Sequence, residues 1–349
     1  MTKTNRRAFL RSAVATAAAL SAPALLADSP KAKIKVGFLG AAHSHALAKW
    51  KLVEKSSDFQ SIGLVEDSPP VREQYEKLGA KIISLDELLS KSEVVLVESA
   101  VRDHARHAKL ALSAGQHVHV EKPPSAAMKE LNELVELARK NQRVFQVGYM
   151  WRYHPGFAAI FEAGRKGWLG DIYLVRAMIE NSLPDDRRPE WAEFKGGAMF
   201  ELGCHLIDPM VRLLGAPAAV RPTLRRHARV EDEFKDNNAV VFEFQRALGV
   251  ITNSTHQPNA FAQRSFEVCG TNGTAALKPI EPPALQINLA KAAGPYKSGA
   301  QTVPLPPYER YVGDLIELAA LIRGEKSPVV TLEEELRVHA ALLRACEMD

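Results

Sequence analysis

From Ile34 to Tyr149 the chain alternates short apolar runs with stretches of helical spacing, and this rhythm narrows the possible folds more than any other feature. Ile34–Gly40, Ser61–Val65, Glu93–Val97, His117–Val120 and Val144–Tyr149 read as strands. Helices are expected after the Gly40 turn, over Asp103–Ala114 with Gly115 as the stop, and over about Ala127–Lys140. Short apolar strands that alternate with helices belong in a parallel sheet covered on both faces. Beyond about residue 150 the pattern changes. Tyr153–Gly164 reads as a helix, Ile172–Glu180 as a strand and Ser182–Lys195 as a polar loop able to cover a site. A helix opens at Gly196-Gly197 and runs to Leu214, where Gly215 ends it. Strands at Ala239–Phe244, Gly249–Thr255, Ser265–Cys269 and Thr274–Lys278 are separated by hairpin-type turns, and helices near Arg310–Arg323 and Glu333–Glu347 close the chain. The expected fold class is α/β, a doubly wound parallel sheet over residues 33–150 followed by an α/β domain over 151–349 whose open sheet is largely antiparallel.

The first 27 residues stand apart. Asn5-Arg6-Arg7-Ala8-Phe9-Leu10-Arg11 precedes an Ala-rich apolar run from about Ala13 to Leu26. This layout resembles a twin-arginine export signal, cleaved near Ala27. The run is short of the roughly 20 apolar residues that span a bilayer, so cleavage is expected in preference to an uncleaved anchor. The expected destination is the periplasm, with no stable membrane association after cleavage. The segment's four basic residues, taken from 45, leave 41 against 41 acids, so the mature chain carries no basic excess for nucleic acid. Cys204, Cys269 and Cys346 are too few and too scattered for a disulfide framework or a cysteine metal site.

Strand, glycine turn and helix at Ile34–His45 are the opening of a dinucleotide-binding unit. In the G-x-G-x-x-G register Gly40 is kept, while Ala42 and His45 take the second and third places. Glu66, with Asp67 as the alternative, lies at the end of the second strand and about 20 residues beyond the turn, where a ribose diol would be held, and a carboxylate there favours NAD over NADP. Pro123 must end the strand His117–Val120, which delivers Glu121 and Lys122 to the carboxyl edge where such sheets place ligands. In the helix after Gly197, the residues Glu201, Cys204, His205 and Asp208 share one stripe. Polar groups among Phe200, Leu202, Leu206 and Ile207 face a cleft or pay for burial.

Glu121-Lys122-Pro123, the Gly-Gly-x-x-x-acid-x-Gly-x-His-x-x-Asp run of Gly196–Asp208, and Gly270-Thr271-Asn272-Gly273-Thr274 occur in that order. Together they resemble the Gfo/Idh/MocA oxidoreductases, over essentially the whole mature chain. The resemblance implies a Rossmann-type domain binding NAD, and a second domain whose sheet serves homo-oligomer formation. It further implies a sugar, cyclitol or other polyol substrate. Lys122 matches the lysine beside the reacting hydroxyl, His205 the acid/base, Glu201 a position where aspartate is usual, and Asp208 the last acidic place. Gly40, Ala42, His43, His45, Glu66, Ser99, Glu121 and Lys122 become the expected cofactor contacts. Imidazole suits removal of a hydroxyl proton at neutral pH, a carboxylate one turn away can orient it, and an ammonium stabilises the developing alkoxide. No metal is expected.

An exported enzyme meets no nicotinamide pool, so a tightly held cofactor regenerated within each turnover is expected. That suits coupled oxidation and reduction of two sugars, or a redox-neutral glycoside cleavage through transient oxidation. Two readings of other classes remain. One is a metal-dependent hydrolase or lyase built on His43-x-His45, His104-x-x-His107 or His117-x-His119. The other is a non-catalytic sugar-binding protein with a degraded nucleotide site.

Overall fold

The computed structural model describes residues 31–349, so the export signal expected at residues 1–27 lies outside the described residues. The βα rhythm folds as a five-stranded sheet of β1 (Ile34–Leu39), β2 (Phe59–Val65), β3 (Val94–Val97), β4 (His117–Val120) and β5 (Phe145–Val147), in the order β2-β1-β3-β4-β5. All four pairings are parallel. β3 is Val-Val-Leu-Val with every residue fully buried, the burial that a strand covered on both faces requires. The helices 104–113 and 128–141 cover one face and the helix 46–55 the other. The order reverses between β1 and β3, which opens a crevice at their carboxyl ends.

The second sheet has eight strands: β6 (Ile172–Glu180), β7 (Ala219–Arg225), β8 (Asn237–Glu243), β9 (Leu248–Ser254), β10 (Ser265–Gly270), β11 (Gly273–Leu277), β12 (Leu285–Leu289) and β13 (Gly299–Val303). Their order is β13-β12-β11-β10-β6-β9-β8-β7, antiparallel throughout except for the parallel pair β6 and β9. Three of these strands escaped the sequence reading. β7 contains Pro222 at the sheet edge, β12 is short and polar on alternate residues, and β13 is short with no buried residue.

Two further differences bear on the site. The segment expected as a loop over 182–195 contains a 3₁₀ turn, Asp185–Arg187, and a short helix, Arg188–Ala192. It is pinned because the buried Arg188 guanidinium bonds Asp232 at 2.6 Å and Asp236 at 3.0 Å. The helix 312–322 does not stay with the second domain: Leu315, Leu318 and Ala319 join the core cluster of Val36, Phe38, Trp50 and Leu96. A boundary at residue 150 therefore separates the two sheets but not the two packing units. Among the described residues no helix is long and apolar enough to cross a membrane.

Candidate active site

Gly40, directly after β1, has φ +77°, and a Cβ there would lie 2.4 Å from the Cβ of Ser99, which follows β3. Conformation and close approach thus both require glycine at this place. The methyl of Ala42 is accommodated in the wall of the hollow that follows. Glu66 accepts the amide of Ala41 at 2.7 Å and that of Ser68 at 2.8 Å, so the acid ending β2 also holds the turn after β1. These residues, with Arg102 and Arg106, line a hollow of about 190 Å³. Ala42 and Ala100 lead from it into a second hollow of about 380 Å³. The second shares Ser44, Arg187, Glu190 and Glu201 with a third of about 230 Å³, whose walls include His45, Lys122, His205 and Tyr311.

The result is an elongated trough across the crevice from Glu66 to His205. It fits a nicotinamide dinucleotide on its own terms. Backbone lies bare at Gly40, the buried Ser99 hydroxyl has no partner, and each Glu66 oxygen keeps a lone pair for a ribose hydroxyl.

Beneath the third hollow lies a charged group that the sequence reading missed. Lys49, on the helix 46–55, is fully buried, and its ammonium bonds Glu121, Glu98 at 3.0 Å and the Nε2 side of His119 at 2.5 Å. Burial alone would lower Lys49, but Glu121, Glu98 and Asp314 outweigh it and hold it well above the usual lysine range. Glu98 is pushed up by burial to about 8. Glu121, although buried, is held well below the usual carboxylate range by Lys49, His45 and His43. Its Oε2 lies 3.0 Å from His45 Nδ1 and accepts the Lys122 amide at 3.1 Å. Glu121 is therefore no wall of the trough. It is the buried anchor that fixes His45 and Lys122 from below.

Lys122 Nζ reaches the Glu201 carbonyl at 3.2 Å and the Glu201 carboxylate at 3.7 Å. Burial opposes its charge, yet Glu201, Cys204 and Glu121 raise its pKa overall, so it is an ammonium at any physiological pH. Glu201 and His205 are delivered by a π-helical turn, Met199–Gly203, running into the helix Cys204–Leu214. His205 is pushed well below the usual histidine range by burial, then by the charges of Lys122, His45 and Arg264, so it stands neutral. Its ring lies 5.2 Å from that of Trp151 and 6.1 Å from that of His45, and Nδ1 has no partner. Burial raises the Glu201 carboxyl while Lys122 pulls it back, so Lys122, His205 and Glu201 meet in one hollow as an ammonium, a neutral imidazole and a carboxyl held against the ammonium.

Several expectations are corrected. The stripe Glu201–Asp208 does not act as one group, because the helix turns Asp208 away from the hollow. Asp208 accepts from Arg152 at 2.7 Å and from Arg212 at 3.5 Å in a buried network with Glu335. Glu201 turns to Lys122, so among the described residues no carboxylate orients His205. Tyr149, Arg152 and His154, which follow the last strand of the first sheet, do not line the hollow, whereas Met150 and Trp151 do. His154 caps the helix 155–165 through the Gly156 amide at 3.1 Å.

The histidine pairs divide as well. His104 spans the carbonyls of Pro123 at 2.8 Å and Ser99 at 3.0 Å, and His117 accepts the Val144 amide at 2.9 Å. His43, His45 and Glu121 do bring ligand-type atoms within 4.8 Å of one another, as do Glu98, His119 and Glu121. Lys49 already supplies the second group with a positive charge. Tyr311, invisible in the sequence as a site residue, lines the hollow from a left-handed backbone at φ +68°.

Residues 34–149 match the family model described as an oxidoreductase family with an NAD-binding Rossmann fold, and residues 157–276 match that of the GFO/IDH/MocA C-terminal domain. A D-glucoside 3-dehydrogenase of Escherichia coli is 33% identical over 137 residues, 38% of each chain. A dTDP-3,4-didehydro-2,6-dideoxy-alpha-D-glucose 3-reductase of Streptomyces violaceoruber is 26% identical over 262 residues, 73% of this chain and 75% of that protein. These matches span from about two fifths to three quarters of the relatives' own length. Among solved structures, GenD2 from gentamicin A biosynthesis, in complex with NAD, has a TM-score of 0.76 at 22% identity, covering 92% of this chain and 95% of that one. At that identity the likeness concerns the fold.

Proposed function

The chain belongs to the GFO/IDH/MocA oxidoreductases, and from that premise we propose that it oxidises a secondary hydroxyl of a sugar or polyol with NAD as the hydride acceptor. The observation that carries this reading is the meeting of Lys122 and His205 in a hollow continuous with the trough from Gly40 and Glu66. Bound NAD would lie along that trough, its ribose at Glu66, and would take the hydride from the carbinol carbon. Glu66 supports NAD over NADP through repulsion of a 2′-phosphate.

The chain's own residues supply the proton chemistry. The Lys122 ammonium donates a hydrogen bond to the substrate oxygen and stabilises it as its proton leaves. The neutral imidazole of His205 takes that proton, and it returns it when the reaction runs backward. Protonation of His205 is opposed by burial and by Lys122, which favours passing the proton on. Glu201 holds Lys122 in place, and the ring of Trp151 closes one side against water.

The relatives' names support a glycoside or sugar substrate, and the arginine pair near the amino terminus supports export with the cofactor already held. Self-association through the second sheet is supported by Tyr173, 53% exposed, and Leu248, 49% exposed. The test is mass spectrometry of nucleotide released on denaturing the purified protein, followed by the near-ultraviolet signal of reduced nicotinamide on adding sugars. Stoichiometric NAD, bleached or reduced by a sugar in wild type and inert in Lys122→Ala, is expected. A protein that neither carries nor takes up nucleotide sinks the hydride reading.

A further inference from the structure

Arg264 is the one cationic wall residue of the third hollow without a carboxylate partner among the described residues. The other three are paired: Lys122 with Glu201 at 3.7 Å, Arg187 with Glu190 at 2.8 Å, and Arg310 with Glu281 at 2.7 Å. Arg264 is only 5% exposed. Its Nε donates to the Glu180 carbonyl at 3.0 Å and its guanidinium lies 3.9 Å over the Phe261 ring, while its Nη atoms meet no acceptor among the described residues. The Glu180 carboxylate is turned to the amide and hydroxyl of Ser254, at 2.8 and 2.5 Å. Burial and the neighbouring Arg310 bring Arg264 down to about 10, against the smaller opposing pull of Glu281 and Glu180, neither of which pairs with it directly.

A buried, positioned guanidinium that faces a ligand cavity with no carboxylate in direct contact calls for an anion from outside the chain. We propose that Arg264 is the carboxylate-recognition residue of this site and that the substrate is a sugar acid, a uronate or aldonate, rather than a neutral sugar. The inference rests on the sugar-oxidoreductase reading for the location of the ligand. Charge balance selects the carboxylate. With the three ion pairs neutral, the wall carries one net positive charge, which a carboxylate cancels and a phosphate dianion exceeds. The Nη pair of a guanidinium also matches the two oxygens of a carboxylate in a bidentate bond. His205 and Lys122 face the same hollow, so the acid group would be held within one sugar unit of the hydroxyl that reacts.

The test is isothermal titration of the full protein, as purified and with NAD added, using D-glucuronate, D-galacturonate and D-gluconate. D-glucuronamide, D-glucose and glucose 6-phosphate serve as comparisons. At least one of the acids is expected to bind about 30-fold or more tighter than its neutral counterpart, the loss typical of unpairing a buried charge. Arg264→Gln is expected to erase that preference and Arg264→Lys to keep part of it. The comparison of glucuronate with its amide uses wild-type protein only, so it stands even if a variant fails to fold. Neutral sugars that match the acids overturn the proposal, as does a complete absence of sugar binding. A phosphate that outbinds every acid overturns the assignment to carboxylates. Nucleotide retention is scored separately: a protein that holds NAD and reduces it with a neutral sugar refutes only this inference, whereas acid binding without nucleotide refutes only the hydride reading.

Discussion

Replacing Lys49 by Met tests the electrostatic floor of the site. The two side chains have similar length and shape, so the change removes charge and hydrogen bonds while leaving little cavity. In the native protein the ammonium touches Glu121, Glu98 and His119 with no access to solvent. Glu98, pushed up to about 8, is largely protonated at neutral pH, so the pair at stake is Lys49 with Glu121. Removing one partner of a buried pair costs about 3–5 kcal/mol. At about 2 °C per kcal/mol for a chain of this size, the melting temperature should fall by roughly 6–10 °C. The loss should depend on pH in a definite direction. Burial works to raise Glu121, but Lys49, His45 and His43 hold it below its unfolded value, so its contribution is present above the ordinary carboxylate range and is lost as pH falls. In Lys49→Met the orphaned carboxyl binds a proton instead. The gap between the two melting curves, followed by calorimetry, should therefore narrow as pH falls from about 8, and close only below the ordinary carboxylate range. A variant melting within about 2 °C of wild type at the upper pH, or a gap that widens on acidification, refutes the reasoning.

Glu98 has the opposite linkage: its pKa is raised to about 8, so wild-type stability should decline as pH rises from the ordinary carboxylate range through that value, and Glu98→Gln should flatten the decline in a pH series of melts. His205→Asn should lower kcat by about 10²–10⁴-fold while nucleotide stays bound, read by turnover together with released nucleotide. Asp208→Ala should instead unfold more easily by about 3 kcal/mol in urea, because Arg152 and Arg212 lose a buried partner; a variant that keeps its stability but loses kcat would return Asp208 to the reacting group. Gly40→Ala should abolish nucleotide retention and cost about 1–3 kcal/mol, since the added Cβ meets Ser99 and the backbone at φ +77° disfavours it.

The periodicities that made the fold legible are local. A parallel strand buried on both faces reads as an unbroken apolar run, as in Val94–Val97, and its helices read by their own spacing and glycine stops. The damaged glycine turn was visible for the same reason, and so were the motif positions Lys122, Glu201 and His205, each set by its neighbours in the chain. The edge strand β13, with no buried residue, and its short neighbour β12, exposed at alternate positions, lack that signal. Tertiary structure alone decided what each charged side chain meets. A stripe on a helix carried Asp208 along with His205, but only packing against Arg152 and Arg212 showed that the carboxylate faces away from the hollow. Lys49 looked like any surface lysine of an amphipathic helix; its burial arises from Glu98, Glu121 and His119, 49 to 72 residues further along the chain. Arg264 gained its meaning from carboxylates that pair with other arginines and leave it alone. Secondary structure follows from spacing along the chain, whereas the electrostatics of a site depend on distances between remote segments, and those exist only once the chain has folded.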